Sequence, residues 1–173
     1  MAKRRMLGSI EDPSVQGLMR VIETQRKETL AAWALASVEE TCLPILARHE
    51  YSDERVTAAV AAAHALLEGA MTLRAAWPAL NEARKAAQEA EEPIVQAALR
   101  AVAVASAVYS TPTNALGFTF YQAAAVAYDS AADMTDAAAC DALAAAELAR
   151  LEQRLRACAV ADEPDPVKID WGC

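Results

Sequence analysis

Apolar and small side chains recur every three to four residues along most of this chain, which is the spacing of one face of an α-helix. The stretch from Leu30 to Leu46 shows such a stripe, and the stretch from Val56 to Leu67 repeats it. No run of β-branched residues interrupts the pattern. The chain is therefore predicted to be all-α, a compact alanine-rich bundle of five to seven helices.

Capping residues, glycines and prolines divide this pattern into elements. Ser52, Thr72 and Thr135 are interpreted as N-caps, and Thr135 with Asp136 begins the last helix. The predicted helices are a weak one within Ser14–Glu28 and stronger ones at Glu28–His49, Asp53–Gly69, Pro78–Glu91, Pro93–Ser110, Asn114–Asp133 and Thr135–Ala159.

Two prolines fall inside apolar stripes. Because proline lacks an amide hydrogen and clashes with the preceding turn, Pro44 should kink the last turns of its helix. For the same reason Pro78 is expected to separate a short turn at Leu73–Trp77 from the helix that follows.

Composition divides the chain into three parts. Residues 1–28 form an N-terminal segment, residues 29–160 hold the helical domain, and residues 161–173 form an acidic tail. Pro164 and Pro166 favour irregular structure in the tail, which Trp171 would attach to the surface.

Alanine accounts for 44 of the 173 residues, whereas glycine accounts for 5. Alanine has the highest helix propensity, and its small side chain lets helices approach closely. A bundle built this way has few deep pockets and little side-chain chemistry for catalysis.

The formal net charge of −8 is distributed unevenly. Residues 1–28 carry +2, residues 29–128 carry −4 and residues 129–173 carry −6. Such an acidic surface repels phosphate backbones, which argues against nucleic-acid binding and favours a basic protein partner.

Four cysteines, at positions 42, 140, 158 and 173, form no CxxC pair. On one helix Cys140 and Cys158 would lie roughly 27 Å apart, too far to bridge, so free thiols in a reducing cytoplasm are expected. The start of the chain lacks the apolar run of a signal peptide. Ala101–Tyr128 is uncharged, but its polar turn around Pro112 indicates two buried helices and not a membrane span.

The usual catalytic motifs are absent from the sequence, so no enzyme activity and no cofactor are predicted. His64 lies on the flank of an apolar stripe and is interpreted as a half-buried packing residue. His49 falls in the last turn of a helix, where a cation favours the helix dipole.

Asp129, Asp133 and Asp136 follow a spacing that would align three carboxylates on one face of a continuous helix. These residues are the predicted partner-binding site, because an acidic patch attracts a basic protein. A divalent-metal site and simple helix capping are the alternatives.

Bulky side chains supply the candidate core. Leu148, Leu151 and Leu155 form a narrow seam, which either docks the last helix on the bundle or forms a homodimer contact. The aromatic core candidates are Trp33, Trp77, Tyr109, Phe118, Phe120, Tyr121 and Tyr128. The alternative is that one or two of these aromatic residues are exposed and contact a partner.

Residues Thr29–Asp129 resemble the immunity-protein-five-like family, a group of all-helical putative immunity proteins from bacterial toxin systems. Features that carry the resemblance include Trp33, the Leu43-Pro44 pair and the Pro112-Thr113 turn. The matching segments are TLAAWALASVEETCLPILARHEYSDERVTAAV, GAMTLRAAWPALNEARKAAQEA and RAVAVASAVYSTPTNALGFTFYQAAAVAYD. Family members tend to carry histidines near the positions of Tyr109 and Asn114, where this chain has none.

The resemblance implies a small cytoplasmic protein that binds and neutralises a cognate bacterial toxin. Occlusion of a basic toxin is the expected mechanism, with no chemical step. Three rival hypotheses remain: a helical module that holds a small apolar ligand, a metal-dependent enzyme using the three aspartates, and a structural oligomer built on the leucine seam.

Overall fold

The computed structural model describes residues 4–172, which contain seven α-helices and no strand. The all-α prediction is therefore confirmed. In chain order the helices are α1 (Pro13–Ile22), α2 (Lys27–Arg48), α3 (Glu54–Leu67), α4 (Leu73–Glu89), α5 (Pro93–Ser106), α6 (Asn114–Ser130) and α7 (Ala137–Cys158).

Side-chain caps fix the first turns of most of these helices. Thr72 accepts a hydrogen bond from the Ala75 amide, as predicted. The caps predicted at Ser52 and Thr135 are wrong by one residue, because the carboxylates of Asp53 and Asp136 accept the first-turn amides instead.

α4 runs without interruption through Pro78, so the predicted break there is wrong. Ala76, Leu80 and Ala83 are buried on its inner face, where they join a small apolar cluster with α3 and α5. This packing outweighs the hydrogen bond that proline removes. The predicted C-termini of two other helices lie too far along the chain, since α5 ends at Ser106 and not at Ser110, and α6 ends at Ser130 and not at Asp133.

α5 lies at the centre of the bundle and packs against α2, α3, α4 and α6. Its alanines are almost all buried, which allows the close approach that the composition predicted. The uncharged stretch 101–128 indeed forms parts of two buried helices joined by a loop. α2 is long and apolar enough to cross a membrane, but more than half of its most apolar window is buried inside the bundle.

The leucine seam of α7 is fully buried and docks this helix on the rest of the chain. Trp33 and Phe118 are also buried, with ring centroids 5.0 Å apart in an edge-to-face arrangement. Trp77 is 50% exposed, so its place among the core candidates is wrong. It lies on the outer face of α4, where Arg84 covers its ring.

The ends of the described chain pack on the bundle without regular structure. Leu7 is fully buried and its amide donates to the Phe120 carbonyl. The tail has no helix, as predicted, and the Trp171 indole N–H donates to Glu23. Cys42 and Cys140 are buried free thiols, and Cys158 is an exposed one, whereas Cys173 lies outside the described residues.

Candidate functional site

Three loops of the bundle meet at one end. They connect α2 to α3 (residues 49–53), α4 to α5 (90–92) and α6 to α7 (131–136). Together with the helix residues next to them (48, 54–55, 89 and 129–130), these loops form what is called here the acidic end.

His49 joins the three connections. It is the C-cap residue of α2, and its Nε2 lies 2.8 Å from Asp129 Oδ1 at the end of α6. Its Nδ1 lies 3.7 Å from Glu92, the N-cap of α5. Arg48 forms an ion pair with Asp129, whose side chain is only 15% exposed. One histidine and one aspartate thus hold the ends of α2, α5 and α6 together.

A second cluster holds α3 to α4. The Arg55 guanidinium donates to both oxygens of Asp53 and, at 2.8 Å, to Glu89 at the end of α4. The hydrogen bonds from Arg55 lower the pKa of the Asp53 carboxyl from 3.8 to about 2. For Asp129, burial raises the pKa, but hydrogen bonds from Arg48 and His49 outweigh it and hold that pKa below its ordinary value.

Carboxylates outnumber cations among the residues of this end, beside which Arg4 and Arg5 line a small pocket with Pro93 and Tyr128. The residues of the acidic end include nine aspartates and glutamates but only two arginines, a formal charge of −7 with histidine neutral. Glu50, Glu54 and Glu91 are exposed and, within residues 4–172, form neither an ion pair nor a hydrogen bond through their carboxylates. These three carboxylates face solvent without a partner in the described chain.

The family model of the Imm-5 like putative immunity protein matches residues 20–154. The chain belongs to this family. The resemblance identified from the sequence is therefore confirmed, and the match includes the whole acidic end while excluding the tail. No curated protein and no solved structure matches the chain.

In this immunity-family protein, the three predicted partner-binding aspartates do not share one helix face. α6 ends at Ser130, and α7 begins only at Ala137, so the assumption of a continuous helix is wrong. Asp129 is mostly buried beside Arg48 and His49. Asp133 accepts hydrogen bonds from Thr135, and Asp136 caps α7. All three nevertheless lie at the acidic end.

The metal alternative gains no support from the geometry. Across residues 4–172, no group of three or more histidine, cysteine, aspartate or glutamate side chains is arranged to hold a metal ion.

Sequence reasoning missed a buried polar network next to the acidic end. Glu147 is 6% exposed and accepts a hydrogen bond of 2.8 Å from the fully buried Gln122 amide. Arg150 donates to both Glu147 oxygens and to Thr41 on α2. A charged pair three residues apart beside an apolar seam was the available signal.

This network lines a polar cleft of about 270 Å³ between α2, α6 and α7. Arg48 and Asp129 line the same cleft, so it opens beside the acidic end. The carboxylates of the acidic end form ion pairs, cap helix N-termini or face solvent. The arrangement as a whole suits electrostatic recognition of a basic surface.

Proposed function

We propose that this immunity-family protein acts in the cytoplasm by binding its cognate toxin through the acidic end and covering the toxin's active surface. Family membership identifies the class of protein. The acidic end has a formal charge of −7, compared with −8 for the whole chain, and this observation carries the choice of surface.

Electrostatics explain why such a surface would suit a toxin inhibitor. Exposed carboxylates attract a basic partner from beyond contact distance and raise the association rate. Fast association matters because the toxin damages the cell for as long as it is free. A toxin that acts on nucleic acid needs a basic surface to bind phosphates, and the same surface would receive the acidic end.

The residues of this end have different roles in the proposal. Glu50, Glu54 and Glu91 face solvent and would contact the toxin directly, together with the predicted residues Asp133 and Asp136. Asp129 would act indirectly, because its ion pair with Arg48 and its hydrogen bond with His49 hold the loops in place.

Growth rescue tests this function. The chain is co-expressed with the toxin domain encoded beside its gene, and survivors are counted. Wild type is expected to protect the cells. The triple variant Glu50→Lys, Glu54→Lys, Glu91→Lys is expected to lose protection, because it reverses the exposed charge without removing an ion pair or side-chain hydrogen bond of the described chain.

A matched triple variant controls for net charge. Glu11, Glu68 and Asp162 are also exposed, form no ion pair in the described chain and lie outside the acidic end. Lysine at these three positions should leave protection intact. Protection by both triple variants would place the interface elsewhere, and no protection by soluble wild type would refute immunity against that toxin.

A further inference from the structure

An apolar groove of about 430 Å³ runs between α2 and α3 and begins at the acidic end. Leu46, Val56 and Val60 form its buried floor, and the partly buried Leu43 and Tyr51 complete it. The groove exists because α3 packs more extensively on α4 and α5 than on α2. Its volume falls in the range of sites that receive an apolar group.

A carboxylate marks each end of this groove. Asp53 lies at the loop end, where it accepts hydrogen bonds from Tyr51 and Arg55. Glu39 lies at the other end, with Oε1 2.8 Å from Nε2 of His64. Asp53, the N-cap of α3, and His64 are eleven positions apart, which corresponds to roughly 16 Å along the helix.

The charge around this groove differs from that around the other clefts. No lysine or arginine is among the described residues that line it. Four other clefts of the described chain each contain at least one arginine. An apolar floor between two carboxylates matches an apolar side chain with a cationic neighbour.

Charge also decides between possible occupants. A second copy of this chain would bring a formal charge of −8 towards a groove that is lined by two carboxylates and no lysine or arginine, and that is continuous with the acidic end. A basic toxin would bring the opposite charge to the same place.

We infer that the groove between α2 and α3 receives an apolar side chain of the toxin that is flanked by lysine or arginine. The inference rests on the proposed function and adds to it the apolar anchor of the interface. The carboxylates of the acidic end would attract the toxin, and burial of the anchor would slow its release.

Two neighbouring positions on α3 provide a matched test. Thr57 and Ala58 are both exposed, but Thr57 lines the groove and Ala58 does not. Thr57→Lys and Ala58→Lys change the net charge equally. Binding to a catalytically inactivated form of the toxin domain is measured by calorimetry, and Thr57→Lys is expected to weaken it at least about tenfold more than Ala58→Lys.

A second pair of variants tests the shape of the groove without changing charge. Ala61 is exposed and lines the groove, so Ala61→Trp should fill it, and Ala58→Trp is the control. Equal melting temperatures of the two variants establish that each is folded. Weaker toxin binding by Ala61→Trp alone would support the inference.

The remaining outcomes overturn it in distinguishable ways. If wild type binds the toxin and neither Thr57→Lys nor Ala61→Trp weakens that binding, the groove is rejected as the anchor site while the proposed function stands. No binding by wild type would reject both. A rise in melting temperature caused by free indole in wild type but not in Ala61→Trp, with toxin binding unchanged, would assign the groove to a small apolar ligand instead.

Discussion

At the scale of single residues, the Asp53–Arg55 pair makes the stability of the protein depend on pH. The side chain of Asp53 is 16% exposed, and its pKa of about 2 lies below the ordinary 3.8. A lowered carboxyl pKa stabilises the fold above the ordinary value, and this stabilisation is lost as pH falls from 3.8 towards 2.

Asp53→Asn isolates this charge, because asparagine caps a helix about as well as aspartate. We expect the variant to lose about 1 kcal/mol of unfolding free energy at pH 7 and to show a weaker pH dependence between 3.8 and 2. Denaturant unfolding at a series of pH values measures both effects. Glu68→Gln, at an exposed glutamate without an ion pair in the described chain, should change neither.

Gly8 is a second residue whose backbone matters. Its φ of +117° is disfavoured for other residues, and an added Cβ would lie 2.8 Å from Leu148 Cδ1 and 2.9 Å from Phe120 Cδ1. Gly8→Ala should therefore destabilise the protein by about 2 kcal/mol.

Gly69→Ala separates the two causes of that loss. Gly69 also has a positive φ, but nothing lies within 4 Å of the position of its Cβ. Gly69→Ala should therefore lower the free energy of unfolding by about 1 kcal/mol, which is the backbone contribution alone. Equal melting temperatures of the two variants would show that the segment around Leu7 does not pack against α6 and α7.

At the scale of elements, the buried Glu147 network joins α7 to α2 and α6. Glu147→Leu would leave the Gln122 amide without its buried acceptor, at a cost of about 2 kcal/mol. The double variant Gln122→Leu, Glu147→Leu removes both groups and should recover part of that loss. Chemical denaturation of the two variants checks this, and a double variant less stable than Glu147→Leu would contradict it.

The helices were predictable from the sequence because alanine propensity, caps and apolar stripes all favoured the same state. Pro78 was misinterpreted because its local cost was visible, whereas the packing of Ala76 and Leu80 against two other helices was not. The Glu147 network was missed for a similar reason, since Gln122, which donates to Glu147, and Thr41, which accepts from Arg150, are distant in sequence.

The same limit applied to the candidate site. Asp129, Asp133 and Asp136 were selected for helical spacing, yet the topology of the bundle, and not a helix face, brings them to one end. Glu50 and Glu91 carried no local signal, because only the meeting of three loops gives them a common place.

At the scale of the whole molecule, folding accounts for part of the acidic end. Asp53, Glu92 and Asp136 cap α3, α5 and α7, whose N-termini all lie there. Acidic side chains at helix N-termini are stabilising, so these three have a role without any partner. Glu50 and Glu91 have no capping hydrogen bond in the described chain, so capping does not account for their charges.

This distinction leads to a prediction about association kinetics. If exposed carboxylates attract the toxin, the association rate constant should fall at least about tenfold as ionic strength rises from about 0.01 M to 0.15 M, because salt screens charges over a Debye length. The dissociation rate should change much less, since it depends on contacts that are already buried. Stopped-flow mixing with the inactivated toxin domain measures the first rate, and competition with unlabelled toxin measures the second.

The Glu50, Glu54, Glu91 triple lysine variant should show a flatter salt dependence, whereas the Glu11, Glu68, Asp162 variant should resemble wild type. Equal salt slopes for the two variants would mean that overall charge attracts the toxin, and that the acidic end has no special part in recognition.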